Sequence, residues 1–289
     1  FTIICHLPIL DNPMSEFETT LDRIHSLLAR HGLDALLLQR VGSFAWATGG
    51  AASYINTATT TGVASLLITP TARYLITDNI EAPRLAREEH LDEQGWTFEV
   101  GPWYEQSAAI ARLTHGLKLG ADVAYPGAVD LSNELAEARS LLTAEALARF
   151  RVLGAACSEA VNAVAQAVKP GMTEYELAAR LSLEAQRRGA QPTVVLVATD
   201  ARIFNFRHPL PTAKALDRYA MLILCGRRRG LVCSITRLVH FGPLPPELRA
   251  KAEAAARIDA AMIHATRPGA TVGDVFRVAQ EAYARAGYP

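Results

Sequence analysis

The chain repeats itself. The segment KPGMTEYELAARLSLEAQRRG (169–189) returns as RPGATVGDVFRVAQEAYARAG (267–287), 98 positions later. Pro170, Gly171, Thr173, Leu177 and Gly189 recur as Pro268, Gly269, Thr271, Val275 and Gly287, and Asp274 takes the place of Glu176. Each copy reads as a Pro-Gly turn, then a helix opened by Thr-x-x-Glu or its Asp equivalent. Such a cap satisfies two orphan backbone donors, and the closing Gly stops the helix. Each copy also follows a long Ala-rich helix. A duplicated helix pair requires a fold with two related halves. After Gly189 the first copy continues into a strand and on to His208. After Gly287 only Tyr288 and Pro289 follow, so the sequence predicts a second half without its strands, in a truncated protein or a fragment.

The region before the first copy has another texture. Residues 15–31 form an amphipathic helix, with Phe17, Leu21, Ile24, Leu27 and Leu28 on one face. DALLLQ (34–39), VASLLITP (63–70), ARYLIT (72–77), WTFEVGPW (96–103) and LKLGADV (117–123) read as strands. SFAWATGG (43–50) and NIEAPRLAREE (79–89) read as helical, and a further helix runs to about Leu142. Strands alternating with helices across short connections predict an α/β domain. A long helix follows Thr143. Then come PTVVLVA (192–198) and a hairpin, RYAMLILCG (218–226) and LVCSITRLVHFG (231–242), turned by RRRG. The expected division is an extension at 1–13, a first domain at 14–142 and a second at 143–289.

Composition limits the partners. The formal net charge is zero and the sequence pI is about 7.2. There is no electrostatic case for nucleic acid or for an anionic membrane surface. No apolar run reaches the roughly 18 residues of a membrane span. Cys5, Cys157, Cys225 and Cys233 have no metal-like spacing and read as reduced thiols of a cytoplasmic protein.

VKPGMTEYELAARL, then Arg207-His208-Pro209, then a hairpin closing in Ile235-Thr236-Arg237, resembles the pita-bread family of methionine aminopeptidase, aminopeptidase P, prolidase and creatinase. DALLLQ, SFAWATGG and LLITPTARYLITD resemble the N-terminal domain of creatinase and the prolidases. The resemblance covers residues 15–289. It implies an α/β creatinase-like N-terminal domain followed by an incomplete α+β pita-bread domain.

Peptidases of that family hold two divalent metals with Asp, Asp, His, Glu and Glu, the two Asp on the hairpin. By the resemblance, Cys225 stands at the first Asp position and Ser234 at the second. Hard divalent ions prefer anionic oxygens, and a serine hydroxyl or a thiol replaces them poorly. No metal or other cofactor is therefore expected. His208 matches the family's substrate-pocket histidine, and creatinase works without metal through a histidine acid/base group. His208 is thus the catalytic candidate, since an imidazole suits proton transfer near neutrality. Arg202, Asn205 and Arg207 share its loop and are candidate substrate-binding residues, with a solvated loop as the rival reading.

The other histidines, His240 and His264 among them, read as structural, Arg227–Arg229 as a solvated turn, and Asp200 and Asp217 as turn residues. Tyr54 and Trp46 could contribute to a substrate lid. The expected activity is metal-independent hydrolysis of a C–N bond in a small amino-acid-like or dipeptide-like substrate. The alternatives are an inactive peptidase-like binding or scaffold protein and a truncated fragment. A homodimer is expected, both from the incomplete sheet's open edges and by family analogy.

Overall fold

In the computed structural model the described residues are 15–288. The expected extension at 1–13 lies outside them. Helix α1 (Glu16–His31) opens on a reciprocal Ser15/Glu18 capping box and ends at Gly32, φ +61°. Ile24, Leu27 and Leu28 on its inner face are fully buried. The first sheet contains β1 (Ala35–Arg40), β2 (Thr61–Ile68), β3 (Arg73–Asp78), β4 (Thr97–Gly101), β5 (Leu119–Ala121) and β6 (Val129–Asp130), in spatial order β4-β3-β2-β1-β5-β6.

Strand β1 is central, and this explains its unbroken apolar run. Leu36 and Leu38 join one core with α1, while Ala35 and Leu37 join the core on the opposite face. Short helices α2 (Val41–Ala47), α3 (Ala82–Arg87), α4 (Gln106–Thr114) and α5 (Ser132–Ser140) complete this unit.

Helix α6 (Ala144–Ala167) begins at the Thr143 cap, and α7 (Glu174–Gln186) at Thr173. Both pack on one face of a three-stranded antiparallel sheet. Its strands are β7 (Gln191–Thr199), β8 (Tyr219–Arg228) and β9 (Leu231–His240), in that order. Alternation along β8 decides which face is covered. Ala220, Leu222, Leu224 and Gly226 are buried under the helices, whereas Met221, Ile223 and Cys225 point to the other, more open side. Gly226 matters here because the Cys157 thiol occupies the space that a Cβ would need. Arg237 ties β9 to α6, its Nε donating to Asn162 Oδ1 at 3.1 Å. A five-residue helix, α8 (Ala201–Asn205), lies in the loop between β7 and β8.

The duplicated pair returns as α9 (Pro246–Ala265) and α10 (Val272–Arg285), packed on each other through Ile258, Ala279 and Ala282. The reciprocal caps Thr173/Glu176 and Thr271/Asp274 are both formed. Among the described residues no helix is long and apolar enough to cross a membrane.

The hairpin tip corrects one expectation. Arg227 does not belong to a solvated turn. Its guanidinium lies 4.0 Å from the Tyr54 ring centroid and donates to Thr57 O at 3.1 Å, so the tip docks on the N-terminal unit. Tyr54 correspondingly supports that contact. Arg229 and Gly230 form a two-residue turn with φ +47° and +75°. The tip meets two small residues. A Cβ at Gly50 would lie 2.7 Å from Arg229 Cβ, and one at Gly230 would lie 2.5 Å from Ala45 Cβ. Gly230→Ala would therefore combine a disfavoured positive φ with overpacking. It is expected to cost about 1–3 kcal/mol in chemical denaturation. A neutral result would mean that the tip is loose.

Candidate functional site

The loop that carries His208 is anchored by two buried or half-buried carboxylates. Segment 212–216 runs back along 171–175, with Gly171 N–H donating to Leu216 O at 2.8 Å and Glu174 N–H to Lys214 O at 3.1 Å. Glu174, the first residue of α7, has a fully buried side chain. Its Oε1 accepts from Thr199 N–H (2.9 Å) and Oγ1 (3.0 Å). Its Oε2 accepts from Thr212 N–H (2.9 Å), Thr212 Oγ1 (2.7 Å) and the Arg202 guanidinium. Burial alone would raise this carboxyl's pKa. The hydrogen bonds from Arg202, Thr212 and Thr199 outweigh it and hold the group below the usual carboxylate range.

Asp200, at φ +52°, performs the same service one layer out. It accepts from Lys214 Nζ (2.6 Å) and from the N–H groups of Asp217, Arg218 and Tyr219 at 2.9–3.0 Å. Burial pushes its pKa upward, but these donors dominate and hold it well below the ordinary value. Asp200 is thus a turn residue of a demanding kind, closing the loop where β8 begins.

The anchors place the four candidate residues differently. Arg202 points inward, ion-paired to Glu174 and donating to Leu210 O at 2.9 Å, with its guanidinium 5.5 Å from the Phe206 ring centroid. Asn205, Arg207 and His208 are exposed. His208 has no hydrogen-bond or ion-pair partner among the described residues. Around it the loop shows apolar surface: Phe204, Phe206 and Leu210 are all more than half exposed. Phe204 continues a ring contact through Tyr219 to His240, with centroid separations of 6.0 and 5.6 Å. Glu174, Thr199, Thr212 and Lys214 were not legible as site residues. An acidic residue at the start of a capped helix ordinarily signals nothing beyond a favourable helix dipole.

The second cluster lies on the hairpin. Cys225 and Ser234 are directly paired across β8 and β9, with Sγ and Oγ 3.0 Å apart. Both side chains face the more open side of the sheet. The pairing fixes the alignment of the two positions against each other, although it brings no carboxylate to either. Among the described residues, no three His, Cys, Asp or Glu side chains converge as a metal site. A thiol and a hydroxyl do not fit a pair of hard divalent ions, which need anionic oxygens.

Two further thiols lie behind this pair. Burial raises the Cys157 pKa to about 11 and also raises that of Cys233, so both stay protonated near neutrality. The His208 loop leaves the sheet at Tyr219, six residues along β8 from Cys225. At the rise of an antiparallel strand this is roughly 20 Å. Among the described residues no hydrogen bond joins the two clusters.

Two family models match the chain in succession. The Creatinase/Prolidase N-terminal domain matches residues 21–151, and Metallopeptidase family M24 matches 148–289. Three solved structures are similar across nearly the whole chain. The prolidase from Pyrococcus horikoshii OT3 is 18% identical with a TM-score of 0.76, covering 93% of this chain and 78% of its own. The Xaa-Pro dipeptidase from Bacillus anthracis is 18% identical at TM-score 0.72, with coverages of 94% and 78%. The X-Pro aminopeptidase from Thermotoga maritima MSB8 is 19% identical at TM-score 0.72, with coverages of 93% and 78%. At such identities the likeness is one of fold. No curated protein sequence matches the chain. The two family matches, the two sheets and the repeated helix pair place this chain among the creatinase-like, pita-bread proteins of the prolidase-related peptidase family.

Proposed function

We propose that this protein acts on a small amino-acid-like or dipeptide-like substrate as a C–N bond hydrolase that does not use a dinuclear metal centre, in the manner of creatinase. The observation that carries this reading is the Cys225–Ser234 pair. Two neutral side chains, in register and in contact, stand where the resemblance puts two metal-binding carboxylates. His208 is the proton-transfer group in this reading. It is exposed and free of any hydrogen-bond partner among the described residues, so both ring nitrogens remain available to a substrate. Arg207 and Asn205 precede it on the same exposed loop and can meet a carboxylate, the guanidinium through a forked pair of donors. The exposed rings of Phe204 and Phe206 offer an apolar wall.

A second reading has support of its own. His208 has no carboxylate partner among the described residues to orient its imidazole. This favours a binding protein of the peptidase fold that does not turn its ligand over.

The test is hydrolysis of Xaa-Pro dipeptides and of N-substituted or guanidino amino acids, with and without Mn²⁺ and with and without a chelator. The hydrolase reading expects turnover of a guanidino or N-substituted amino acid that is indifferent to chelator. Turnover should fall about 10²–10⁴-fold in His208→Gln, the usual weight of a general acid/base. Loss of turnover with chelator would overturn it. Binding without turnover under all conditions would establish the second reading.

A further inference from the structure

A separate cavity of 210 Å³ lies at the seam between the two units, where the hairpin tip meets α1, α2 and the start of α6. Three arginines line it: Arg139 from α5, Arg149 from α6 and Arg229 from the hairpin turn. The only acid on its wall among the described residues is Glu16, and that carboxylate is engaged by both terminal nitrogens of Arg149. Beyond the wall, Asp122 and Arg40 act on Arg139 in opposite directions, and Glu145 in the first turn of α6 is a further acid acting on Arg149. The lining therefore keeps an excess of positive charge.

Three details suggest that this charge is placed for a ligand. First, Arg149 Nε has no hydrogen-bond partner among the described residues, so Glu16 meets the Arg149 guanidinium only through its two terminal nitrogens and leaves that charge partly uncompensated. Second, Arg229 has no ion pair among the described residues, and it holds φ +47° in a turn whose two central residues both require positive φ. Such turns prefer Asn-Gly, and an arginine there is disfavoured on backbone grounds alone. Third, Thr143 and Ala146 of the first turn of the 24-residue helix α6 touch the cavity, so the positive end of that helix lies beside it. Trp46 and Leu231 supply apolar wall.

We propose that this seam cavity is a binding site for a small organic anion with an apolar group, its phosphate or carboxylate held by Arg229 beside the charge of Arg149 and its apolar part set against Trp46 and Leu231. The volume corresponds to roughly seven waters at ~30 Å³ each, which limits the ligand to a small molecule. Because the wall is formed by both units, occupancy would also brace the hairpin tip against the N-terminal unit. This inference does not depend on the chemistry proposed at His208.

Ligand-observed NMR with phenyl phosphate, benzoate, inorganic phosphate and benzyl alcohol, at physiological salt, tests the site. The ring-bearing anions should bind, the phosphate and carboxylate arms showing which head group is preferred. Inorganic phosphate should bind more weakly and benzyl alcohol not at all. Arg229→Asn removes the guanidinium while installing the turn's preferred Asn-Gly pair. It should weaken anion binding at least tenfold without lowering the melting temperature. Arg229→Lys keeps the charge and should lose less. The proposal is overturned by equal affinity in Arg229→Asn and wild type, by binding of benzyl alcohol as tight as that of the anions, or by no anion binding at millimolar concentration.

Discussion

Glu174→Ala is expected to destabilise the second unit by roughly 3–5 kcal/mol, the usual cost of removing one partner from a buried, hydrogen-bonded ion pair. Five donors converge on this fully buried carboxylate. Truncation would leave the Arg202 guanidinium and two backbone N–H groups without their acceptor. Chemical denaturation of the variant gives the loss directly, and a loss below about 1 kcal/mol would mean that water replaces the carboxylate freely. Removing Arg202 as well should cost less than the sum of the single losses, because the pair shares one interaction.

The pH dependence has a definite sign. Glu174 and Asp200 both have folded pKa values depressed below their unfolded ones. Each therefore contributes stability that is fully present above the ordinary carboxylate pKa, about 4, and is lost as pH falls through the lower folded value. Acid should unfold the wild type more steeply than Glu174→Gln, which has one fewer carboxylate to protonate. The His208 loop should lose its anchoring in the same window.

The physical reason why this network was hard to read bears on what a sequence can reveal. The repeated caps at Thr173 and Thr271 were legible because a cap is local chemistry: residue and partner lie three positions apart. The unbroken apolar run of β1 was legible as a strand for the same reason. Glu174 draws its donors from residues 25, 28 and 38 positions away. No periodicity or spacing reports such convergence, so Arg202 looked like a substrate ligand when its guanidinium is committed to the fold. The RRRG turn misled in another way. Three cations at a hairpin tip usually mean solvent, and Arg228 and Arg229 are exposed as that predicts; only Arg227 departs from it, by stacking on Tyr54 of the other unit. Helices α4 and α8 were missed because they are short, nine and five residues, too few turns for a helical period to show. At the hairpin the sequence was informative, since the substituted positions are visible as residue types. What it could not supply was the register, and the Cys225–Ser234 contact does.

That register makes the second large effect predictable. In the double variant Cys225→Asp/Ser234→Asp, two carboxylates would face each other across one rung of the hairpin, in place of two neutral groups 3.0 Å apart. Two like charges at about 4 Å repel by about 1–4 kcal/mol between water-like and protein-surface dielectric. A loss of that size is expected at pH 7. The sign is opposite to that at Glu174. Repulsion raises the folded pKa of one carboxyl, so the penalty is present at high pH and is relieved as pH falls through that raised value. A divalent ion would also relieve it, because two opposed carboxylates are the oxygen donors that Mn²⁺ prefers. Mn²⁺ should therefore raise the melting temperature of the double variant and leave that of the wild type unchanged. A shift of equal size in the wild type would show that the chain binds the metal without these two carboxylates and would sink the metal-independent reading. No shift in the double variant would mean that the two side chains diverge from the register their contact implies.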